Sequence, residues 1–366
     1  MRLAERGGPG AARRELGLSA APRVLQAIAG APQGGAEAFF ERLVAALAHS
    51  GLTQHVLMRD HPTRLASLRE AGLTPVTLRF GGWLDWSTRW RFRAEIARFR
   101  PDLVLTWMSR ASDFCPAPPV GGRRFVRIGR LGGYYDAKHY RGFDHLIANT
   151  ADIRDWLIRQ GFDADTVHYL PNFVDAVPAP PAARASWDTP ADAPLLLALG
   201  RLHPNKAFDV LIDALAAVPG AYLWLAGGGD ARGALGRRAA ERGVAARLRW
   251  LGWRDDVPAL LAAADILVCP SRHEPLGNVV LEGWAHGVSV VAAASQGPRA
   301  LIRDGTDGLL VPVDDSAALA DALRRLIADG ALRAALAQAG RARYEASFTE
   351  AAVVQQYRAF FNRVCG

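Results

Sequence analysis

The order of apolar and polar positions follows one pattern through most of the chain. Short runs rich in leucine and β-branched residues alternate with segments of about 10 to 15 residues whose apolar positions recur at helical spacing. This alternation is typical of strand–helix–strand units and predicts a parallel sheet. The first series of expected strands covers residues 23–29, 55–59, 75–78, 103–108, 125–130, 145–149 and 167–170. A second series covers residues 195–199, 221–226, 247–251, 266–269, 288–292 and 308–311. Because the alternation occurs twice, we predict an α/β protein with two parallel-sheet domains.

The stretch between the two series marks a domain boundary. Residues 177–194 are rich in alanine and proline, and each proline lacks a backbone N–H donor and restricts the residue before it. We therefore predict a first domain over residues 23–176, this linker, and a second domain over residues 195–348. The tail, residues 349–366, has apolar residues at helical spacing and is expected to form a helix that packs on the first domain. Residues 1–22 contain arginines and glycines without an apolar core, so we expect a disordered extension there rather than a secretion signal.

Composition narrows the class of partner. The 366 residues include 44 Lys and Arg against 36 Asp and Glu, and the resulting charge of +8 favours phosphates, nucleic acid or an acidic lipid surface as partners. The three cysteines lie far apart, which argues against a disulfide framework or a zinc knuckle and fits a reducing, cytoplasmic compartment. No apolar run approaches the ~18 residues that a membrane span needs. We therefore expect a protein that does not span a membrane and that binds an anionic ligand.

The strongest candidate for chemistry directly follows the expected strand at residues 266–269. Glu274 and Glu282 lie eight residues apart in this segment. Pro275 and Gly277 indicate that Glu274 precedes a helix while Glu282 lies within it, so that both carboxylates could face one ligand. The N–H groups at the start of that helix form a site for a phosphate, and carboxylates beside it suit hydroxyl donors such as those of ribose and sugars. The alternative is that Glu274 only favours the helix N-terminus and that Glu282 is a solvated helix residue.

Two further loops follow expected strands. After residue 199 the chain continues Gly-Arg-Leu-His-Pro-Asn-Lys, in which Arg201 and Lys206 can converge on anionic oxygens. After the first strand, Gly34 and Gly35 open an expected helix, and here the backbone can approach an anion closely. Each loop also has a plainer interpretation, as a cationic rim or as a simple turn.

Two common nucleotide-binding motifs are missing from the sequence. The Gly-x-Gly-x-x-Gly pattern fails at residues 227–233, where Arg232 takes the place of the third glycine, and no Gly-Lys-Ser/Thr loop occurs. These absences argue against a nicotinamide dehydrogenase and against a nucleotide hydrolase with a phosphate-binding loop.

Taken together, these segments resemble one known family. The glycine pair, the cationic loop and the two glutamates, in this order, are similar to those of glycosyltransferase family 4, whose members have the two-domain GT-B fold. The segments that carry the resemblance are Gly34-Gly35-Ala36-Glu37, Gly200-Arg201 with Lys206, Gly252-Trp253, Cys269-Pro270-Ser271, and Glu274 with Glu282. The resemblance covers nearly all of residues 23–366. It implies two Rossmann-like parallel-sheet domains that face each other across a cleft, with the C-terminal helix returning to the first domain.

The resemblance also implies a reaction. A sugar would pass from a nucleotide diphosphate donor, a UDP- or GDP-sugar, to an acceptor hydroxyl with retention of anomeric configuration, without a tightly bound metal or another cofactor. The segment at residues 130–140 is similar to members that extend bacterial surface polysaccharides or lipopolysaccharide cores. A glycan or a lipid-linked saccharide is therefore the expected acceptor.

The motif positions imply a role for each site residue. Glu282 would hold the ribose diol, Glu274 the transferred sugar, and Arg201 with Lys206 the diphosphate. Backbone N–H groups of both domains would complete the phosphate cradle, at Gly277, Asn278 and Val279 and at Gly34 and Gly35. Trp253 and Arg254, which follow an expected strand, are assigned to the nucleobase.

The chain departs from the family pattern at one position of the first domain. Many members place a histidine just after the strand that corresponds to residues 125–130, whereas this chain continues Leu-Gly-Gly-Tyr-Tyr-Asp. His139 lies nearby but is displaced along the sequence. It is either a replacement for that catalytic histidine or a loop residue without a catalytic role.

The segment from Arg79 to Arg100 combines aromatic residues with six arginines and two acidic residues. On a helix that begins near residue 85, Phe92, Ile96 and Phe99 share one face while Trp86 and Trp90 lie roughly opposite. One face can pack on the domain core. The other is either covered by a neighbouring element or faces an anionic membrane, which would make the protein peripheral on the inner face of the cytoplasmic membrane.

Two other functions remain open on the sequence alone. A sugar-nucleotide epimerase would share the two-domain architecture and release a free isomer instead of a glycosylated acceptor. A nucleic-acid-binding protein would fit the positive charge, but the chain lacks a recognisable recognition module, so we expect no nucleic acid partner.

Overall fold

A computed structural model describes residues 21–31, 34–82 and 84–366 of the protein. The disordered extension expected at residues 1–22 lies outside the described residues except for its last two positions.

Within the described residues, seven strands form one parallel sheet in the order β3-β2-β1-β4-β5-β6-β7. The strands are β1 (Val24–Ile28), β2 (Gln54–Met58), β3 (Val76–Thr77), β4 (Leu103–Trp107), β5 (Val126–Leu131), β6 (His145–Ala148) and β7 (Val167–Tyr169). The order reverses between β1 and β4, and such a switch point opens a crevice at the carboxyl ends of the strands.

The described residues also form a second parallel sheet, which has six strands in the order β10-β9-β8-β11-β12-β13. These strands are β8 (Leu195–Leu199), β9 (Tyr222–Ala226), β10 (Leu248–Gly252), β11 (Ile266–Cys269), β12 (Ser289–Ala293) and β13 (Leu309–Val311). Here the order reverses between β8 and β11, so the loops after these two strands adjoin the second switch point.

Helices connect the strands of both sheets. The α-helices are α1 (Gly35–His49), α2 (Pro62–Glu70), α3 (Trp86–Phe99), α4 (Met108–Phe114), α5 (Ala151–Arg159), α6 (Phe208–Ala216), α7 (Arg232–Glu241), α8 (Val257–Ala263), α9 (Asn278–Ala285), α10 (Gln296–Leu301), α11 (Ser316–Ala328), α12 (Gly330–Ser347) and α13 (Glu350–Cys365). Short 3-10 helices cover Ala137–Tyr140, Ala164–Thr166, Arg184–Trp187, Pro204–Lys206 and Ala245–Arg247.

The predicted strands are confirmed, each end lying within one residue of its expected position. The prediction succeeds because helices cover both faces of a parallel sheet, so its strands are continuous apolar runs that stand out in the sequence. Every residue of β1, β4 and β8 is buried. The prediction of two parallel-sheet domains is confirmed as well.

Contacts divide the chain into two compact units. Unit 1 consists of Met1–Leu170 and Val353–Gly366, and unit 2 consists of Pro171–Ala352. The expected linker, residues 177–194, packs on unit 2: the Ala182 N–H donates to the Ala259 carbonyl at 2.9 Å, and the Trp224 indole N–H donates to Thr189 at 2.9 Å. The prolines of this segment predict irregular backbone, which is a local property. They do not determine where one unit ends, because that boundary depends on long-range contacts.

Helix α13 supplies the last part of unit 1. Its residues Val353, Tyr357 and Phe361 are fully buried. The Tyr357 hydroxyl accepts a hydrogen bond of 2.9 Å from Nε of the buried Arg130 in β5. The Arg130 guanidinium also lies 4.2 Å from the ring centre of Trp107, so the helix closes over a buried cation and its aromatic neighbour.

Helix α3 has one buried and one exposed face. Asp85 caps it, accepting a hydrogen bond of 3.0 Å from the Thr88 N–H, and Phe92 and Ile96 are buried. Trp86 and Trp90 are exposed, as the expected opposite face allows. Across the residues that the structure describes, none of the helices has the length and apolarity required to cross a bilayer.

Candidate active site

Glycine loops follow β8, β9 and β10, and backbone hydrogen bonds join these loops at the carboxyl end of the second sheet. The Gly200 N–H donates to the Ala226 carbonyl at 2.9 Å, and the Gly227 N–H donates to the Gly252 carbonyl at 2.7 Å. Gly227 has a φ of +149°, and a Cβ there would overlap the Gly200 carbonyl. Because only glycine permits this approach, the backbone itself sets the position of the next residues, Arg201 and Trp253.

An ion pair with little solvent exposure lies at the same carboxyl end of the sheet. Lys206, at the end of the 3-10 helix Pro204–Lys206, donates from Nζ to Oε2 of Glu274, which follows β11. The Glu274 side chain is only 10% exposed and that of Lys206 is 24% exposed. Burial by itself would lower the pKa of Lys206, but the Glu274 carboxylate raises it above its ordinary value, with a smaller contribution from Glu282. Lys206 therefore stays charged at neutral pH in a partly desolvated position.

The segment that follows β12 packs against the Glu274 loop and fixes its position. The Gly297 N–H donates to the Glu274 carbonyl at 2.7 Å. A Cβ on Gly297 would lie 2.6 Å from the Gly277 nitrogen, so a larger residue at this position would displace the Glu274 loop. The Gly277 N–H in turn makes a long contact of 3.4 Å to Oε1 of Glu274. Side chain and loop are thus positioned together.

Helix α9 begins beside this carboxylate with an open N-terminus. Its N-cap is Gly277, at a φ of +73°, and no side chain caps the helix. The N–H groups of Asn278 and Val279 belong to its first turn, and the Asn278 Oδ1 atom is buried without a hydrogen-bond partner. As predicted, Glu274 precedes the helix and Glu282 lies within it, one turn from Asn278. The arrangement offers N–H donors for an anion beside oxygen acceptors for hydroxyls.

The remaining residues expected near the donor differ in their solvent exposure and in whether their side chains already have partners. Arg201 is exposed and makes no hydrogen bond or ion pair with any described residue. Trp253 is 76% exposed directly after β10. Arg254 already forms an ion pair with Asp256, with N–O distances of 2.7 and 2.5 Å, and lies 5.5 Å from the Trp187 ring centre. Trp253 is therefore the more available of the two side chains assigned to a base.

In unit 1, the glycine loop after β1 closes around a buried carboxylate. Glu37 is 7% exposed, and its Oε1 accepts a hydrogen bond of 2.8 Å from the Ala31 N–H. A Cβ on Gly34 would overlap the Glu37 carboxylate, whereas Gly35 has open space around it. Gly34 therefore packs closely against the Glu37 carboxylate, and Gly35, the first residue of α1, has no neighbouring atom where a Cβ would lie.

His139 has a partner that sequence reasoning did not identify. It lies in the 3-10 helix Ala137–Tyr140, and its Nδ1 is 2.6 Å from Oδ1 of Asp113 at the end of α4. The two side chains are 24% and 41% exposed. A carboxylate on Nδ1 orients the ring and leaves Nε2 to contact a ligand.

The structure therefore gathers the predicted site residues into two groups. Unit 2 brings together Lys206, Glu274 and the start of α9, with Arg201, Glu282, Trp253 and Arg254 on the same unit, while Gly34, Gly35 and His139 belong to unit 1.

Sequence reasoning missed Ser295, Gln296, Gly297 and Asp113. The Ser295 Oγ and Gln296 Oε1 atoms are buried without partners next to the residue that supports Glu274. Their position directly after an expected strand is the signal that could have identified them.

Comparison with solved structures identifies the fold. The fold matches HepE from Anabaena, solved in complex with UDP, with a TM-score of 0.80, 21% identity, and coverage of 93% of this chain and all of that one. It also matches a glycosyltransferase from Rickettsia africae with a TM-score of 0.82, 17% identity, and coverage of 94% of this chain and 98% of that one. The fold is GT-B, and the predicted fold class is confirmed.

Sequence comparison identifies the family. Residues 33–177 match the family described as Glycosyltransferase Family 4, and residues 193–329 match Glycosyl transferases group 1. The lipopolysaccharide core biosynthesis glycosyltransferase LpsE of Rhizobium meliloti is 36% identical over an alignment of 334 positions, and the match covers 88% of this chain and 94% of that protein. LpsD of the same organism is also 36% identical, over 90% of this chain and 96% of its own length. The chain belongs to glycosyltransferase family 4, and it is a glycosyltransferase, as its motifs predicted.

Proposed function

We propose that the protein transfers a sugar from a nucleotide diphosphate sugar to a hydroxyl group of a lipopolysaccharide core or a related cell-envelope glycan, with retention of anomeric configuration. The observation that carries the proposal is the buried Lys206–Glu274 pair beside the open N-terminus of α9. A cation and free N–H groups suit a diphosphate, and a carboxylate beside them suits sugar hydroxyls.

The comparisons support both substrates. HepE is described in complex with UDP and with UDP-glucose, which favours a UDP-sugar as donor, with a GDP-sugar as the other choice. LpsE and LpsD are named for lipopolysaccharide core biosynthesis, which favours a glycan or lipid-linked saccharide as acceptor. We assign the donor to unit 2 and the acceptor to unit 1.

The described residues suggest how the donor is held. The diphosphate would accept hydrogen bonds from the N–H groups of Gly277, Asn278 and Val279, and its charge would be balanced by Arg201 and Lys206. Glu282 would accept hydrogen bonds from the ribose diol. Glu274 would accept them from the transferred sugar, and the base would stack on Trp253 beside Arg254. In unit 1, the backbone at Gly34 and Gly35 would supply further donors to the phosphates.

In the proposed reaction, the bond between the anomeric carbon and the diphosphate oxygen breaks while the acceptor oxygen bonds to the same face of that carbon. The acceptor proton passes to the departing phosphate oxygen, so no side-chain nucleophile is required. Lys206, Arg201 and the start of α9 stabilise the charge that develops on the diphosphate, which is the main catalytic contribution. Glu274 contributes by fixing the sugar and by positioning Lys206.

We assign His139 to this reaction as the group that contacts a hydroxyl of the sugar or acceptor through Nε2. Asp113 supports this assignment, because a carboxylate 2.6 Å from Nδ1 fixes the ring and its tautomer. The three cysteines are free thiols, which supports a reducing, cytoplasmic location for the reaction.

Donor binding is tested first. The melting temperature is measured with UDP- and GDP-sugars, and we expect one donor to stabilise the protein preferentially. Glu274→Gln should weaken that stabilisation, whereas Glu241→Gln, which neutralises an exposed carboxylate at the end of α7, should leave it unchanged. Equal stabilisation of all three proteins would contradict the site assignment.

The reaction is tested with the preferred donor and a lipopolysaccharide core oligosaccharide. The expected product is a glycosylated acceptor whose anomeric coupling constant in proton NMR matches that of the donor. An inverted product would contradict the proposed stereochemistry. A free isomer of the nucleotide sugar, formed without acceptor, would instead identify an epimerase.

A further inference from the structure

An exposed apolar surface projects from α3 in unit 1. Trp86 and Trp90 are 71% and 72% exposed, and they lie one helical turn apart on the same face. Leu84, just before the helix, is 60% exposed. Large apolar side chains that are this exposed and this close together mark a surface for interaction rather than for packing. We call Leu84, Trp86 and Trp90 the tryptophan face.

Unpaired cations flank the tryptophan face. The side chains of Arg79, Arg91 and Arg93 are exposed and make no hydrogen bond or ion pair with the residues that the structure describes. Arg79 and Trp86 line the same surface cleft, so one of these cations lies directly beside the aromatic surface. The charge at this surface is therefore available to an external ligand.

Nearby acidic groups do not neutralise these arginines. Asp85 caps α3 and accepts hydrogen bonds from the Gly81 N–H at 2.8 Å, the Thr88 N–H at 3.0 Å and the Ser87 hydroxyl at 2.6 Å. Glu95 binds Arg98 and His55, with His55 Nε2 at 2.8 Å. Glu95 is balanced by Arg98, and Asp85 keeps its charge because its partners are neutral. One carboxylate against Arg79, Arg91 and Arg93 still leaves the tryptophan face positive.

We propose that the tryptophan face and its arginines dock unit 1 on an anionic lipid bilayer. Indole rings favour the boundary between headgroups and acyl chains, where their apolar rings are buried and their N–H groups stay hydrated. Guanidinium groups beside them bind lipid phosphates. Both rings are more than 70% exposed on one face of the helix, so they are accessible to a lipid surface.

This docking goes beyond the proposed reaction, because it requires neither a particular donor nor a particular acceptor. It would hold unit 1, to which we assign the acceptor, at the surface where a lipid-linked saccharide is found. Because lipid binding is measured without donor or turnover, its failure and the failure of the proposed reaction can be told apart.

The test is sedimentation of the full chain with vesicles of phosphatidylcholine alone and with about 30 mol% phosphatidylglycerol. We expect the protein to sediment with the anionic vesicles, less so at high salt, and to stay in solution with the neutral ones. Arg91→Gln/Arg93→Gln should weaken binding about 30-fold, since each arginine near such a surface contributes on the order of 1 kcal/mol. Trp86→Ser/Trp90→Ser should weaken it about tenfold, because it removes the indole rings from the interface. These side chains are exposed, so unchanged melting temperatures should show that both variants fold.

Matched controls test whether binding depends on the tryptophan face itself or only on the total number of positive charges and exposed indoles. Arg237→Gln/Arg325→Gln removes two charges from exposed positions of unit 2, and Trp253→Ser removes an exposed indole of that unit. Both controls should bind anionic vesicles like the original protein. Equal losses in the control and test pairs, equal sedimentation with both kinds of vesicle, or no sedimentation with either would overturn the proposal.

Discussion

At the scale of single residues, the proposed site is centred on a lysine and a glutamate that are separated by 68 positions in the chain and joined by an ion pair. A buried pair of this kind contributes little net stability, because desolvation offsets most of the attraction. Removing one partner is nevertheless costly, since the other charge is then left buried. The arrangement is therefore better explained by function: it keeps Lys206 charged and fixed in one position before a substrate arrives.

The pair predicts a specific pattern of kinetic losses. If the proposed mechanism holds, Lys206→Met should lower kcat about 100-fold, because it removes the charge that we assign to the departing diphosphate and leaves Glu274 without its partner. Glu274→Gln should also lower kcat, and the double variant should lose less than the product of the two single losses. Steady-state kinetics of the four proteins measure this coupling. Losses that multiply independently would show that the two residues act separately.

At the scale of secondary-structure elements, α13 meets unit 1 at a pair of histidines. Nε2 of His168 in β7 lies 3.1 Å from Nδ1 of His145 in β6, and the ring centre of Phe360 lies 4.6 Å from that of His168. Burial, with smaller contributions from the neighbouring His145 and Arg363, lowers the pKa of His168 to about 4. Burial also lowers the pKa of His145, against the opposite effect of Asp144. Both rings are therefore neutral in the folded protein at neutral pH.

This contact predicts a pH dependence of stability. Between about pH 6.5 and pH 4 the unfolded chain binds protons at His168 that the folded protein does not, so the free energy of unfolding should fall as the pH is lowered through this window. Urea unfolding at pH 7.5 and 5.0 measures the loss. His168→Gln should reduce the loss, and His49→Gln, at an exposed position of α1, should not. Part of the loss should remain, because burial lowers the pKa of His55 as well. A pH dependence that His168→Gln leaves unchanged would contradict this explanation.

At the scale of the whole molecule, unit 1 is built from both ends of the described chain. Its sheet comes from the first half of the sequence, and residues from Val353 onward return to complete its core. Tyr357, Phe360 and Phe361 of α13 are buried there, and Arg358 donates to the Ser50 carbonyl. Unit 2 is formed by one continuous segment.

This connectivity predicts that the two units respond differently to truncation. Deleting residues 353–366 should expose the apolar surface that α13 covers and leave the buried Arg130 without the Tyr357 hydroxyl. Amide hydrogen exchange should then show lost protection in β6 and β7, while β8 and β11 in unit 2 keep theirs. Equal loss of protection in both sheets would show that the units unfold together.

The sequence alone determined the strands, the two parallel sheets, the family, and the placement of Glu274 before a helix and Glu282 within it. These features are readable because they are local. A strand that is buried on both faces is an apolar run, a helix start has its own residue preferences, and a motif keeps its spacing.

Only the tertiary structure decided which distant groups meet and which surfaces stay open. It joined Lys206 to Glu274, placed Gly297 behind the Glu274 loop and Asp113 beside His139, and left the tryptophan face of α3 exposed. The helical period places Trp86 and Trp90 opposite Phe92, but it cannot show whether a neighbouring element covers them. Such contacts depend on how whole elements pack, and residues far apart in the chain carry no local signal of their meeting.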